Sequence, residues 1–166
     1  TLYRPKKVAE IPVNGKMVTD TLGGDGIMVI DTLGNVLETW SAWDVWNVAN
    51  DPYIDEYRYD RFHMNGLCFD EDGNYLLSNP IEDQIWKIDR QSGELLWKFG
   101  RNGDFEMDTT AYFSFQHSPY ITEHGDLMLF DNGLYNKRSG AKSFKLDEKN
   151  MTAETVINAV LPPDKY

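Results

Sequence analysis

Read as apolar and polar positions, the chain repeats one short pattern: an apolar pair, a polar turn closing on Gly, then a polar residue and a second apolar run. It occurs at Val29–Leu37, Cys68–Leu76, Lys87–Leu95 and Tyr120–Met128, with the closing glycines at 34, 73, 93 and 125. Each copy predicts a β-hairpin, because Gly supplies the positive φ of the turn while Asp and Asn hydrogen-bond the local backbone. The copies alternate in kind. Those at Gly34 and Gly93 run into a Trp-bearing strand, Glu38-Thr39-Trp40 and Leu96-Trp97-Lys98, and those at Gly73 and Gly125 do not. Two hairpins therefore make one four-stranded unit. Like copies lie 59 and 52 residues apart, close to the longer propeller repeats. A degenerate copy, Lys145–Asn150 followed by Thr155-Val156-Ile157, finishes a third unit.

The pattern predicts an all-β fold, a β-propeller of about three four-stranded blades within a single domain over 1–166. Blade 1 covers about 6–41 and opens with a weak hairpin at Asn14-Gly15; blade 2 covers about 63–100 and blade 3 about 115–160. The linkers are Ala42–Phe62, rich in acids and aromatics, and Arg101–Ser114; no helix is required. Propellers close with about four to eight blades, since an open ring leaves its flanks unpaired. Three blades are expected either to form part of a larger propeller, the reading put first, or to complete a ring as a homodimer.

Composition adds limits. With 41% hydrophobic and 26% charged residues among 166, the chain has the balance of a soluble globular domain. An aromatic share of 13%, including five Trp and nine Tyr, suits pleated sheets. The net charge of −11 argues against nucleic acid and anionic membranes as partners. It also disfavours an anionic small substrate, so a site for one needs local donors. No apolar run reaches the ~18 residues of a membrane span, and Thr1–Pro5 does not read as a signal peptide. Cys68, the only cysteine, is read as a small buried hydrophobe.

Candidate chemistry follows from the repeat. The first strand of a propeller blade lines the central channel, so residues opening different blades meet at its mouth. Blade 2 opens Phe62-His63-Met64-Asn65, and strand alternation would turn His63 and Asn65 the same way. Blade 3 opens Phe115-Gln116-His117-Ser118, and superposing the turns at Gly73 and Gly125 sets His117 against Asn65. Asp70-Glu71-Asp72 is better explained as a hairpin tip than as a calcium ligand set. No zinc spacing or phosphate loop occurs, so no metal or cofactor is expected.

An ordered series joins these positions: His63-Met64-Asn65, Asp70–Ser78, Gln84–Asp89, Gln116-His117 and Phe130-Asp131-Asn132-Gly133, preceded by Gly24–Val29 and Trp40–Asp44. The series resembles the bacterial arylsulfate sulfotransferase family, whose members do not use the nucleotide sulfate donor. The resemblance implies a six-bladed propeller that moves a sulfuryl group from an aryl sulfate donor to a phenolic acceptor through a sulfohistidine. It implies His117 as nucleophile, His63 as second catalytic histidine, Asn65 as a donor to the sulfate or phenolic oxygen, and a periplasmic or secreted location. Asn132 is the further substrate-binding candidate, beside its reading as a turn former. One departure stands out. Where the family has Ser-Ser-Arg, this chain has Ser78-Asn79-Pro80, leaving Arg101 or Arg138 as compensating cations. That departure also motivates the alternative of a non-catalytic propeller module that binds a ligand or protein. The aromatic stretch Trp40–Tyr59 is read either as packing or as an aryl-binding wall.

Overall fold

The computed structural model describes residues 1–162. The chain is all-β with short helical turns, and it divides into two compact units, Thr1–Met64 and the portion from Asn65 onward. The repeat pattern, by contrast, treats the chain as one domain.

The first unit contains β1 (Leu2–Tyr3), β2 (Lys6–Val13), β3 (Lys16–Gly23), β4 (Gly26–Ile30), β5 (Val36–Ser41) and one helical turn, α1 (Ile54–Tyr57). The hairpin at Asn14-Gly15 forms, with φ of 49° and 77°, the twist-matched two-residue geometry. Its strands β2 and β3 pair only with each other, whereas β1, β4 and β5 form a separate three-stranded sheet. Blade 1 is therefore not one four-stranded sheet. The reason is local: Leu2 and Tyr3 pair with Ile27 and Gly26, taking the edge of β4 that β3 would need.

Nor does the aromatic linker stay without helix: α1 and short 3₁₀ turns over 42–44 and 48–50 occupy it. Its rings pack around the fully buried Arg61, whose guanidinium lies 5.0 Å from the Trp46 ring, 5.5 Å from Tyr53 and 5.5 Å from Phe62. Asp51 supplies the counter-charge to Arg61 and accepts from Trp46 Nε1 at 2.8 Å. These aromatics enclose a cation of the chain's own, which favours the packing reading of this stretch.

The second unit holds two antiparallel four-stranded meanders of the blade kind. One is β6 (Gly66–Phe69), β7 (Tyr75–Asn79), β8 (Gln84–Ile88) and β9 (Leu95–Gly100); the other is β10 (His117–Ile121), β11 (Leu127–Asp131), β12 (Gly140–Asp147) and β13 (Thr152–Val160). The hairpin glycines 73, 93 and 125 adopt φ of 84°, 76° and 82°, as the turn pattern requires. In the degenerate copy Met151, at 51°, takes the left-handed place, and Asp147 Oδ1 accepts from the N–H groups of Lys149 and Asn150.

Leu76, Ile85, Trp97 and Phe99 from one sheet meet Leu127, Leu129 and Phe144 from the other, and the linker contributes Phe105, Ala111 and Phe113. Phe99 lies edge-on to Phe144 at 4.9 Å and to Phe105 at 5.5 Å. Each such ring contributes about 1.5–3 kcal/mol through burial. Near the hairpin ends Lys87, almost fully buried, reaches Asp70 Oδ2 at 2.7 Å and both Glu148 carboxylate oxygens at 2.8 Å. Burial works against its charge, but Asp70 and Glu148 outweigh it and hold the ammonium pKa above its usual range.

Cys68 packs at the margin of this core. Burial, reinforced by the Asp70 charge, pushes its thiol up to about 11. Little thiolate then exists near neutrality. The residue is only partly buried, not the fully buried hydrophobe expected, yet iodoacetamide at pH 8 should label the native protein far more slowly than the denatured chain, as read by mass spectrometry; equal rates would contradict the raised thiol pKa.

Candidate active site

The strand order brings the candidate residues of the second unit to one end. The first and third strands of each meander start there and the second and fourth finish there, so the segments 80–83, 101–116 and 132–139 gather opposite the glycine hairpins. Asn65 precedes β6, His117 opens β10 and Asn132 follows β11.

The peptide that carries His117 is clamped. The carbonyl oxygen of Gln116 accepts from Asn65 Nδ2 at 2.9 Å and from Ser78 Oγ at 3.1 Å. The Gln116 side chain, fully buried, donates from Nε2 to Gln84 O at 2.7 Å and to Ser78 Oγ at 3.1 Å. His117 is half-buried and pairs with Phe130, after which the register slips before Tyr120. Ser118, with φ of 51°, lies within the slip, and Phe115 has φ of 48°. Such a bulge re-aims the side chains beside it, and strained backbone of this kind is held only by surroundings that over-determine it.

Two acceptors at the clamp, Asn65 Oδ1 and Gln116 Oε1, are buried without a hydrogen-bond partner among the described residues. Buried amide oxygens normally find a donor. Asn65 commits one of its two N–H bonds to Gln116 O, leaving its other N–H and its oxygen to offer.

Gly66 makes the approach possible: a Cβ there would stand 2.3 Å from Pro119 Cδ and 3.1 Å from Ser118 N. Gly66→Ala must push β6 and β10 apart, at a cost of about 1–3 kcal/mol. The urea midpoint should fall accordingly; an unchanged midpoint would show that the close approach is dispensable.

His63 lies elsewhere than the alternation argument put it. It belongs to the first unit, has φ of 51° and precedes the strand, since β6 starts only at Gly66. The shared strand face expected for His63 and Asn65 is thus lost, because alternation holds only for extended backbone. Its exposed ring has Nδ1 2.5 Å from Asp60 Oδ2, and Asp60 also pairs with Arg4 Nη2 at 2.8 Å. Nearby Asp25 accepts from Met64 N, and burial raises its carboxyl above the usual range against that bond and the Arg4 charge.

Asn132 occupies a tight turn. Its carbonyl accepts from Ser139 Oγ at 3.1 Å, and Gly133, with φ of 62°, donates to Asp131 Oδ1 at 2.8 Å. Pro80 opens the 3₁₀ turn Pro80–Glu82, which Asp83 closes in the left-handed conformation. A turn with proline at its start stands where the resemblance puts an arginine.

The motif reading passed over Asp83 and Lys142. Asp83, almost fully buried, accepts from Phe115 N at 3.0 Å and pairs with Arg101 Nε at 3.3 Å. Burial holds its carboxyl above the usual range despite the Phe115 bond and the Arg101 charge. Lys142, also buried, pairs with Asp131 at 3.0 Å. A polar residue amid apolar strand positions was the available signal for Lys142; for Asp83 the sequence offers none.

A family model described as arylsulfotransferase (ASST) matches residues 7–162. The chain belongs to the arylsulfotransferase family. No curated protein sequence matches it. Among solved structures, this arylsulfotransferase chain is similar to one from Bacteroides caccae described as a protein of unknown function, at 13% identity and a TM-score of 0.47. The match covers 93% of this chain and 45% of that one, so the arylsulfotransferase chain spans less than half of that protein's length. Among its described residues no helix is long and apolar enough to cross a membrane.

Proposed function

We propose that the protein transfers a sulfuryl group from an aryl sulfate to a phenol, with His117 as the covalent carrier. Family membership supports sulfotransferase chemistry in general. The observation that carries the finer reading is the clamp on the Gln116–His117 peptide, which holds the backbone of a half-buried histidine at the end of the unit where the unpartnered amide oxygens of Asn65 and Gln116 also lie.

A ring nitrogen of His117 attacks sulfur, forming the N–S bond as the S–O bond to the aryl group breaks and phenolate departs. In the second half the acceptor phenol's oxygen attacks sulfur, the N–S bond breaks and the phenolic proton is released. Neutral imidazole is competent for this near pH 7. Asn65 and Gln116 suit the phenolic end, since an amide oxygen accepts the phenol O–H and the remaining Asn65 N–H answers the charge that develops.

Exposure to 4-nitrophenyl sulfate without acceptor should leave a sulfonated histidine, mapped by mass spectrometry to the peptide containing His117. A label on no histidine would overturn the reading and favour the non-catalytic module motivated by Pro80. The role the resemblance gives His63 is tested alone: His63→Ala should slow transfer to acceptor while the label on His117 still forms. Normal transfer in that variant would remove His63 from the scheme.

A further inference from the structure

Arg101 is a partly exposed cation held in place at this end of the second unit. Its backbone N–H donates to Asp83 O at 3.2 Å, its Nε lies 3.3 Å from Asp83 Oδ2, and its carbonyl accepts from Gln84 Nε2 at 2.7 Å. The guanidinium stands 5.1 Å from the Tyr112 ring and 5.0 Å from the Tyr135 ring. The other Asp83 oxygen holds the N–H of Phe115, and the Tyr135 hydroxyl also bonds to that carboxylate. One buried carboxylate thus ties the arginine to the segment that ends, two residues later, at His117. Asp83 itself is kept in the left-handed conformation, with φ of 56°, and Gly100 admits its carbonyl, since a Cβ at Gly100 would lie 2.3 Å from Asp83 O.

Among the described residues the Arg101 guanidinium hydrogen-bonds only through Nε, and the side chain is 39% exposed. A guanidinium held at Nε and stacked between rings keeps its two terminal amino groups oriented and available. That is the geometry that recognises a tetrahedral oxyanion, and little rotamer freedom remains to be lost on binding. Arg138 does not match it: its Nε also has a partner, Leu161 O at 2.9 Å, but among the described residues no carboxylate pairs with its guanidinium and no ring flanks it. In a chain of net charge −11, one pre-oriented guanidinium beside exposed tyrosine surface selects a ligand that joins an anion to an aromatic ring.

We propose that Arg101, fixed by Asp83 and flanked by Tyr112 and Tyr135, binds the sulfate group of an aryl sulfate and sets the preference for sulfated over unsulfated phenols. The assignment rests on the transfer reading for the location of the reacting sulfate, but it concerns binding and is tested by binding.

Titration calorimetry with 4-nitrophenyl sulfate and with 4-nitrophenol, on the full chain carrying His117→Ala so that no transfer occurs, separates the two questions. Adding Arg101→Gln should weaken the sulfate ester by about tenfold or more and change 4-nitrophenol by less than about threefold, as expected for a charge-assisted contact to the anion. Arg101→Lys should recover only part of the loss, because an ammonium lacks the paired donors. Equal losses for both ligands, an unchanged affinity for the ester, or no binding of the ester before Arg101 is altered would overturn the assignment. If binding follows Arg101 while the wild-type chain forms no sulfonated histidine, transfer chemistry fails and the anion site stands. Arg101 is partly exposed, so Arg101→Gln should keep the fold, as circular dichroism will show.

Discussion

His117→Ala should lower the turnover of an aryl sulfate with a phenol acceptor by on the order of 10⁴-fold or more, the scale on which removing a covalent nucleophile is felt. The proposed pathway splits one difficult displacement at sulfur into two, and the variant must bring donor and acceptor together directly. The loss should be in kcat, because the groups proposed to hold the substrate, Asn65, Gln116 and Arg101, are untouched. The bonds of the clamp use the Gln116 carbonyl and side chain, and Arg101 is held by Asp83, all of which an alanine at 117 leaves in place. Asn65→Ala is the informative contrast. It removes one of the two bonds to Gln116 O together with an amide facing the site, so it should lower both kcat and kcat/KM while His117 still becomes labelled. Retention of turnover within about tenfold in His117→Ala, with the fold intact, would remove the covalent role.

Much of this was legible in the sequence because it is written in short repeats. The glycines at 73, 93 and 125 marked hairpins whose positive φ values the structure contains, and the alternation around them fixed which strands pair in the second unit. The first unit was misread where no periodic signal exists. Residues 1–3 pair with β4 through backbone hydrogen bonds, which almost any side chains permit, so nothing in Thr1-Leu2-Tyr3 announced that β3 would lose its neighbour. The candidate site was legible as a list of residues and not as a geometry. Superposing turns brought Asn65 into register with His117, and a hydrogen bond from Asn65 to the adjacent Gln116 joins them. Alternation failed at His63 because a single left-handed residue before β6 breaks the period of two. The Asp83 clamp was invisible for a related reason: it depends on one left-handed turn and on tertiary neighbours 18 and 32 residues away.

Asp131→Ala should destabilise the second unit by about 3–5 kcal/mol, the largest structural effect expected of a single substitution here. Asp131 and Lys142 are each 1% exposed at the side chain and 3.0 Å apart, so removing the carboxylate strands an ammonium in the interior. Lys142 retains the carbonyls of Ala111 and Tyr112, which orient it without neutralising it. The same carboxylate accepts from Ser114 N and Gly133 N, both at 2.8 Å, so two buried donors are orphaned as well. With a urea slope of about 1–3 kcal/mol per molar, the midpoint should fall by roughly 1–5 M. Asp131→Asn should lose less, since its amide oxygen can still accept from both N–H groups. Adding Lys142→Met to Asp131→Ala should restore part of the stability, because no unpaired charge remains to be buried. A double variant as unstable as the sum of the singles would show that the two groups are not coupled. The consequence reaches the site, because Ser114 begins the segment Phe115–Gln116–His117. Asp131 holds that segment from the β11 side, as Asp83 holds the N–H of Phe115 from the turn before β8. Asp131→Asn should therefore leave activity nearly unchanged at low temperature, whereas Asp131→Ala should lose activity before global unfolding, as the clamped peptide is released first.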